Sequence, residues 1–312
     1  MSDESKHPQA LNAAFGDLPN QSALVPVRLT QSSNLQFDCH SGVSCFNECC
    51  KRSRVTLTPY DLIRLKNRKG MQASEFVVRY TIPVELDAHG LPGIQLAPIE
   101  GSTHCPMLGD EGCTVYEDRP TACRYYPLGS GAFHEAGGQD ASDFFFLVKE
   151  DHCKGHEEPK HQTVGEYCDA QGVEPYDELN ALWNRLILKK RSSGPTVGKP
   201  SARSLEFFFM CSFDPEGMHD FIATESFQEV YDLQPEELET ILGDELERLR
   251  FSFRLLDQVL YGEMTIPVHA DAVERRRMKA RDRMTERRIL EARRQAEADD
   301  EASREELEAD KT

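Results

Sequence analysis

Hydrophobic and polar positions divide the 312-residue chain into four stretches of different rhythm. Residues 1–33 carry Pro8, Pro19 and Pro26 among polar residues and show neither helical nor strand periodicity, which predicts a disordered leader. Between 34 and 160, short apolar runs alternate with turn residues. There Thr58-Pro59-Tyr60-Asp61 predicts a helix start, with Thr58 as N-cap, Pro59 at the first helical position and Asp61 completing a capping-box-like pattern. Leu62, Ile63 and Leu65 give that helix its apolar side and Gly70 stops it. A second short helix is expected from Ser74, with Phe76, Val77 and Tyr80 inward, and Ile94–Leu96 and Phe144–Val148 read as short strands.

From 161 to 265 the period becomes mostly helical. Val164–Ala170 and Tyr176–Lys190 are predicted helices, the second with Leu179, Leu182, Trp183, Leu186 and Ile187 at three- and four-residue spacing. Residues 192–201 read as a Ser/Gly/Pro loop, Leu205–Phe213 as a buried strand, Gly217–Asp232 as a helix and Pro235–Tyr261 as one long helix. The last stretch, 266–312, is a charged tail, helical or disordered. Residues 274–294 hold ten basic and four acidic residues, and 295–312 hold eight acidic and two basic.

Cysteine usage changes this picture most. Eight of ten cysteines fall between Cys39 and Cys153, as Cys39-x5-Cys45-x3-Cys49-Cys50, Cys105-x7-Cys113-x9-Cys123 and Cys153. Thiolates are preferred ligands of zinc and of iron–sulfur clusters, so all eight are metal-ligand candidates, for either a zinc ion or an iron–sulfur cluster. Only Cys45-x3-Cys49 approaches a zinc knuckle. Adjacent Cys49 and Cys50 suggest two ligand sets, or one ligand and one supporting thiol. His40, His104 and His152 each neighbour a candidate cysteine and are read as supporting groups or spare ligands. Cys168 and Cys211 lie in apolar helical or strand-like runs and are assigned to packing.

Arg119 and Arg124, around Cys123, are the cofactor-binding candidates. A guanidinium beside a thiolate lowers its pKa and offsets the charge of a multi-thiolate site, and the same group can bind a carboxylate or phosphate. Ion pairs of Arg119 with Glu117 or Asp118 are the competing reading.

Charge and segment composition narrow the partners. A formal net charge of −18 argues against nucleic acid as a partner of the whole molecule, and no apolar stretch is long enough to span a membrane. The polar start MSDESKHPQA is unlike a secretory signal, so the expected location is cytoplasmic, where clustered thiols bind metal more often than they pair as disulfides. No phosphate-binding Gly-rich loop and no Gly-x-Ser-x-Gly elbow occurs. The expected partners are therefore a metal ion and a protein docked on the C-terminal region.

Several motifs taken together carry a family resemblance. Phe37-Asp-Cys39, Cys45-Phe-Asn-Glu-Cys49-Cys50, the Leu57-to-Leu65 helix start, Cys105-Pro-Met-Leu, Cys113-Thr-Val-Tyr-Glu-Asp-Arg-Pro and Cys123-Arg-Tyr-Tyr-Pro127 resemble the bacterial CxxxCC cysteine-cluster family, a zinc- or iron-chelating domain. The resemblance covers about residues 35 to 155. It implies metal-ligand roles for Cys45, Cys49, Cys50, Cys105, Cys113 and Cys123, with Cys39 and Cys153 as outer members. Many members open with a tighter Cys-x2-Cys spacing. A related group, the flagellin lysine N-methylases, supplies the alternative of an iron–sulfur enzyme that modifies protein side chains, so the sequence leaves turnover open. The fold expected is α+β: a small irregular cysteine-rich metal-binding domain with short strands, then a mostly helical C-terminal region.

Overall fold

The computed structural model describes residues 24–133 except 53 and 89, then 142–192, 200–272 and scattered positions as far as 288. It is α+β: among the described residues the strands lie between Leu24 and Thr163, and helices dominate after them. Part of the stretch expected as a disordered leader over 1–33 is instead a strand. Strand β1 (Leu24–Leu29) pairs antiparallel with a later strand, and only residues 1–23 lie outside the described part of that stretch.

Strands β2 (Asn34–Gln36) and β3 (Thr56–Leu57) precede helix α1 (Pro59–Lys69). Here the capping box is complete. Thr58 Oγ1 accepts from Asp61 N, Asp61 accepts from Thr58 N, and Gly70 closes the helix in the left-handed region at φ 65°, where glycine carries no Cβ penalty. Helix α2 (Ala73–Tyr80) runs into β4 (Thr81–Glu85), and β5 (Pro92–Leu96) pairs with both β3 and β4. The small hairpin β6 (Leu108–Gly109) and β7 (Gly112–Cys113) is followed by the short helix α3 (Thr121–Tyr125). Strands β8 (Leu128–Phe133) and β9 (Ser142–Val148) form a three-stranded antiparallel sheet with β1, while β10 (His161–Thr163) pairs with β2.

Helices α4 (Val164–Gln171), α5 (Glu174–Ser192), α6 (Ala202–Phe213), α7 (Pro215–Ala223), α8 (Glu225–Gln228), α9 (Pro235–Gly243) and α10 (Glu245–Tyr261) follow. Three expectations change here. Leu205–Phe213 is helical rather than a strand: Ser201 caps it by accepting from Ser204 N, and Phe208, Cys211 and Ser212 are buried at helical spacing. The helix expected over 217–232 starts at Pro215 and breaks at Thr224, whose side chain caps α8. The long helix expected over 235–261 breaks at Asp244, whose carboxylate accepts from Leu246 N and Glu247 N and so starts a new helix.

Two hydrophobic clusters result. The larger joins β3, β5, α1 and α2 to α5, α6, α7 and α10, so the helical half packs directly on the first part of the cysteine-bearing segment. The smaller contains Leu35, Phe37, Tyr125, Leu128, Phe145, Val164 and Tyr167. Lys66 ties the halves electrostatically: it is almost fully buried and meets Glu216 at 2.9 Å and Glu245 at 2.6 Å. Among the described residues, no helix is long and apolar enough to cross a membrane.

Candidate metal centre

All ten cysteines are free thiols. Six separate segments deliver the eight of the cluster, and hydrogen bonds fix the approach of each. The Phe37–Cys39 stretch is laid along residues 155–160: Phe37 N donates to Lys160 O at 3.2 Å and Asp38 N to Gly155 O at 3.1 Å. That brings Cys39 beside the loop that carries Cys153. Cys45 begins a run of consecutive tight turns that passes through Asn47, at φ 68°, and ends in a 3-10 turn at Cys49–Lys51. Its sulfur accepts the Lys154 amide at 3.0 Å.

On the other flank, Cys105 N donates to Cys50 O at 2.7 Å. The β6–β7 hairpin then sets Leu108 opposite Cys113, while Leu108 N returns to Cys105 O at 3.0 Å. Cys123 is carried by α3. That helix is held by a fully buried carboxylate: Asp61 Oδ1 accepts from Thr121 N at 2.8 Å and from Thr121 Oγ1 at 2.7 Å, and Asn180 Nδ2 donates to the same hydroxyl at 3.0 Å.

The thiols feel one another. Desolvation pushes Cys39 up to about 11, with Cys49, Cys45 and Cys153 adding to it. Cys49 is pulled down to about 7, first because the Cys50 thiol donates to its thiolate; the two sulfurs are 3.9 Å apart. Cys50 is correspondingly raised. Desolvation also raises Cys105, Cys113, Cys123 and Cys153, with Cys105, Asp61, Cys113 and Cys49 adding to the rise at Cys123 and Cys45 and Cys49 to that at Cys153. Cys39 and Cys123 are exposed to solvent even though desolvation dominates their shifts.

Arg119 and Arg124 are both buried. Arg124 stacks 4.3 Å from the centre of the Tyr176 ring and donates to the carbonyls of Arg119, Gln171 and Glu117. Arg119 donates to Tyr116 O and Gln171 Oε1, and its charge opposes the rise of the Cys113 thiol. The ion pair weighed for Arg119 does not form with Asp118, which pairs with Arg64 at 2.5 Å instead.

The histidines divide. His40 Nδ1 accepts from Gly42 N at 3.1 Å, and its Nε2 lies 3.6 Å from Glu158. His152 Nε2 is buried with no hydrogen-bond partner, 3.6 Å from Glu150. The Tyr126 hydroxyl is likewise buried without a hydrogen bond of good geometry, beside Cys153 and Glu150. Cys168 and Cys211 sit in the hydrophobic clusters, the latter 3.6 Å from Met218 Sδ. Single-sequence spacing carried no signal for Tyr126, for the Asp61–Thr121 link or for the Lys154 amide on Cys45, because each contact joins residues 27 to 109 positions apart or depends on how the loops fold back.

The chemistry of the donor set, eight reduced sulfurs with Cys39 and Cys123 exposed, is that of a thiophilic ion. Among the described residues, no three His, Cys, Asp or Glu side chains already stand in a metal-holding arrangement.

Fold and thiols together define a cysteine-cluster protein: irregular short-stranded α+β architecture around a group of thiols, with helices packed against it. Residues 38–154, a little over a third of the chain, match the family model CxxCxxCC, described as "Putative zinc- or iron-chelating domain". Neither the curated proteins nor the solved structures give a match.

Proposed function

We propose that this is a metal-chelating protein that binds a zinc ion or an iron–sulfur cluster through Cys39, Cys45, Cys49, Cys50, Cys105, Cys113, Cys123 and Cys153. The observation that carries the reading is the convergence of thiols from separate segments: the Lys154 amide donates to the Cys45 sulfur, Cys105 N donates to Cys50 O, and the Cys49 and Cys50 sulfurs stand 3.9 Å apart. Gathering thiols and partly desolvating them opposes their ionisation, and a bound cation reverses that penalty by neutralising the thiolates. Zinc supplies a stable thiolate-bound ion; an iron–sulfur cluster would supply electron transfer or a site for group transfer.

Arg119 acts in this reading as a nearby positive charge on the Cys113 side, and Arg124 as the clamp that holds α3 and hence Cys123. The helical region 161–265 serves as cover and as the docking face for a protein partner. A reducing, cytoplasmic setting keeps the ligands as thiols.

Single substitutions test the ligand assignment. Cys49→Ser and Cys123→Ser are each expected to lower the metal content of purified protein, whereas Cys211→Ser, in the hydrophobic core, is expected to leave it unchanged. Full metal content in both of the first two variants would overturn the assignment.

A further inference from the structure

Cys123 rides on a helix too short to hold itself. At five residues, α3 is far below the length at which an isolated helix persists in water, so contacts from elsewhere fix where its side chains point. Those contacts meet one face. Thr121, Arg124 and Tyr125, at three- and four-residue spacing, turn inward, and the last two are buried, whereas Ala122 and Cys123 are exposed. Asp61 holds Thr121 from the cysteine-bearing half. Further ties run past the last cysteine of the cluster, to residues 171–180 of the helical region. Arg124 Nη1 donates to Gln171 O at 2.6 Å and stacks on Tyr176. The Tyr125 hydroxyl lies 2.7 Å from both carboxylate oxygens of Asp177, and Asn180 Nδ2 donates to Thr121 Oγ1 at 3.0 Å.

Resting on the metal-chelating reading above, we infer that Asp177 and Asn180 of α5 are positioning residues for Cys123: by holding the inward face of α3 they set where its outward face presents the thiol, so the site extends past Cys153 into the helical region. The Asp177 tie is the stronger of the two, because a hydrogen bond to a charged acceptor outweighs one between neutral groups. Asn180 adds a buried link that closes the chain from α5 through Thr121 to Asp61, and so from the helical half to the start of α1.

Two readouts on the full-length, reduced protein test this. The first is amide hydrogen exchange without metal. The amides of Cys123, Arg124 and Tyr126 bond to Pro120 O and Ala122 O. Asp177→Ala is expected to speed their exchange by about tenfold, as loss of one hydrogen bond to a charged group allows, and to leave residues 45–50 unchanged. Asp177→Asn, whose side-chain carbonyl still accepts from Tyr125, should stay close to wild type. The second is cobalt(II) affinity. Asp177→Ala and Asn180→Ala should each weaken it by about threefold. In a Cys123→Ser background neither should weaken it further, because a residue that acts through Cys123 then has nothing left to position. Should Asn180→Ala fail to fold, Asp177→Ala and Tyr125→Phe, which cut one hydrogen bond from either end, carry the test. Unchanged exchange at 121–126 in Asp177→Ala, or an equal loss of cobalt affinity with and without the Cys123 thiol, would overturn the positioning role and leave metal chelation standing. A wild type that binds neither cobalt nor zinc would overturn the metal-chelating reading itself, while the exchange result still decides whether α5 holds α3.

Discussion

Asp61 shows how one residue joins two motifs that look unrelated in sequence. As a capping-box member it was legible from Thr58-Pro-Tyr-Asp alone, because the pattern is local. Its second role was not: the same carboxylate receives Thr121, sixty residues on, and so fixes the helix that carries Cys123. Asp61→Ala strands buried donors and is expected to cost about 3 kcal/mol in urea unfolding. Burial raises the Asp61 pKa above its ordinary 3.8, against the pull of hydrogen bonds from Thr58 and Thr121. The sign follows: its contribution to stability is fully present below the unfolded pKa and is lost as pH rises through the higher folded value. Asp61→Asn should flatten stability against pH in that acid window, and an unchanged slope would contradict the assigned burial.

At the scale of elements, punctuation decided what could be read. Helix α1 announced itself at both ends, with Thr58 and Pro59 before it and Gly70 after. Strands β5 and β9 came from short β-branched or aromatic runs. The Phe207–Phe213 run has no period of its own, since a continuous apolar stretch fits a buried strand as well as a buried helix, and the N-cap that decides for a helix, Ser201, lies six residues before it. Asp244 is hidden in the same way: apolar periodicity runs through Gly243 on either side, but the carboxylate accepts two amide hydrogen bonds and restarts the helix. Asp244→Ala should therefore cost about 1 kcal/mol by thermal or urea unfolding, and Asp244→Asn much less, because either side chain caps and alanine does not. Equal losses in the two variants would mean that something other than capping holds the α9–α10 break.

Over the whole molecule, cysteines join the two cores: Cys105 and Cys113 pack against the large core that spans both halves of the chain, and Cys153 against the smaller one built on β2, β9 and α4. Cysteine spacing made the ligand candidates visible, but their grouping depends on contacts such as Lys154 on Cys45 and Cys105 on Cys50, which sequence distance concealed. An ion bound at that join would brace the two cores as well as satisfy the thiolates. The central claim, that the clustered thiolates hold a metal, is tested most directly by elemental analysis and a visible absorption spectrum of the protein purified without oxygen. We expect stoichiometric zinc in a colourless protein, or iron with acid-labile sulfide and a brown charge-transfer band. Protein that is free of both metals, with all eight thiols open to titration, would contradict the account.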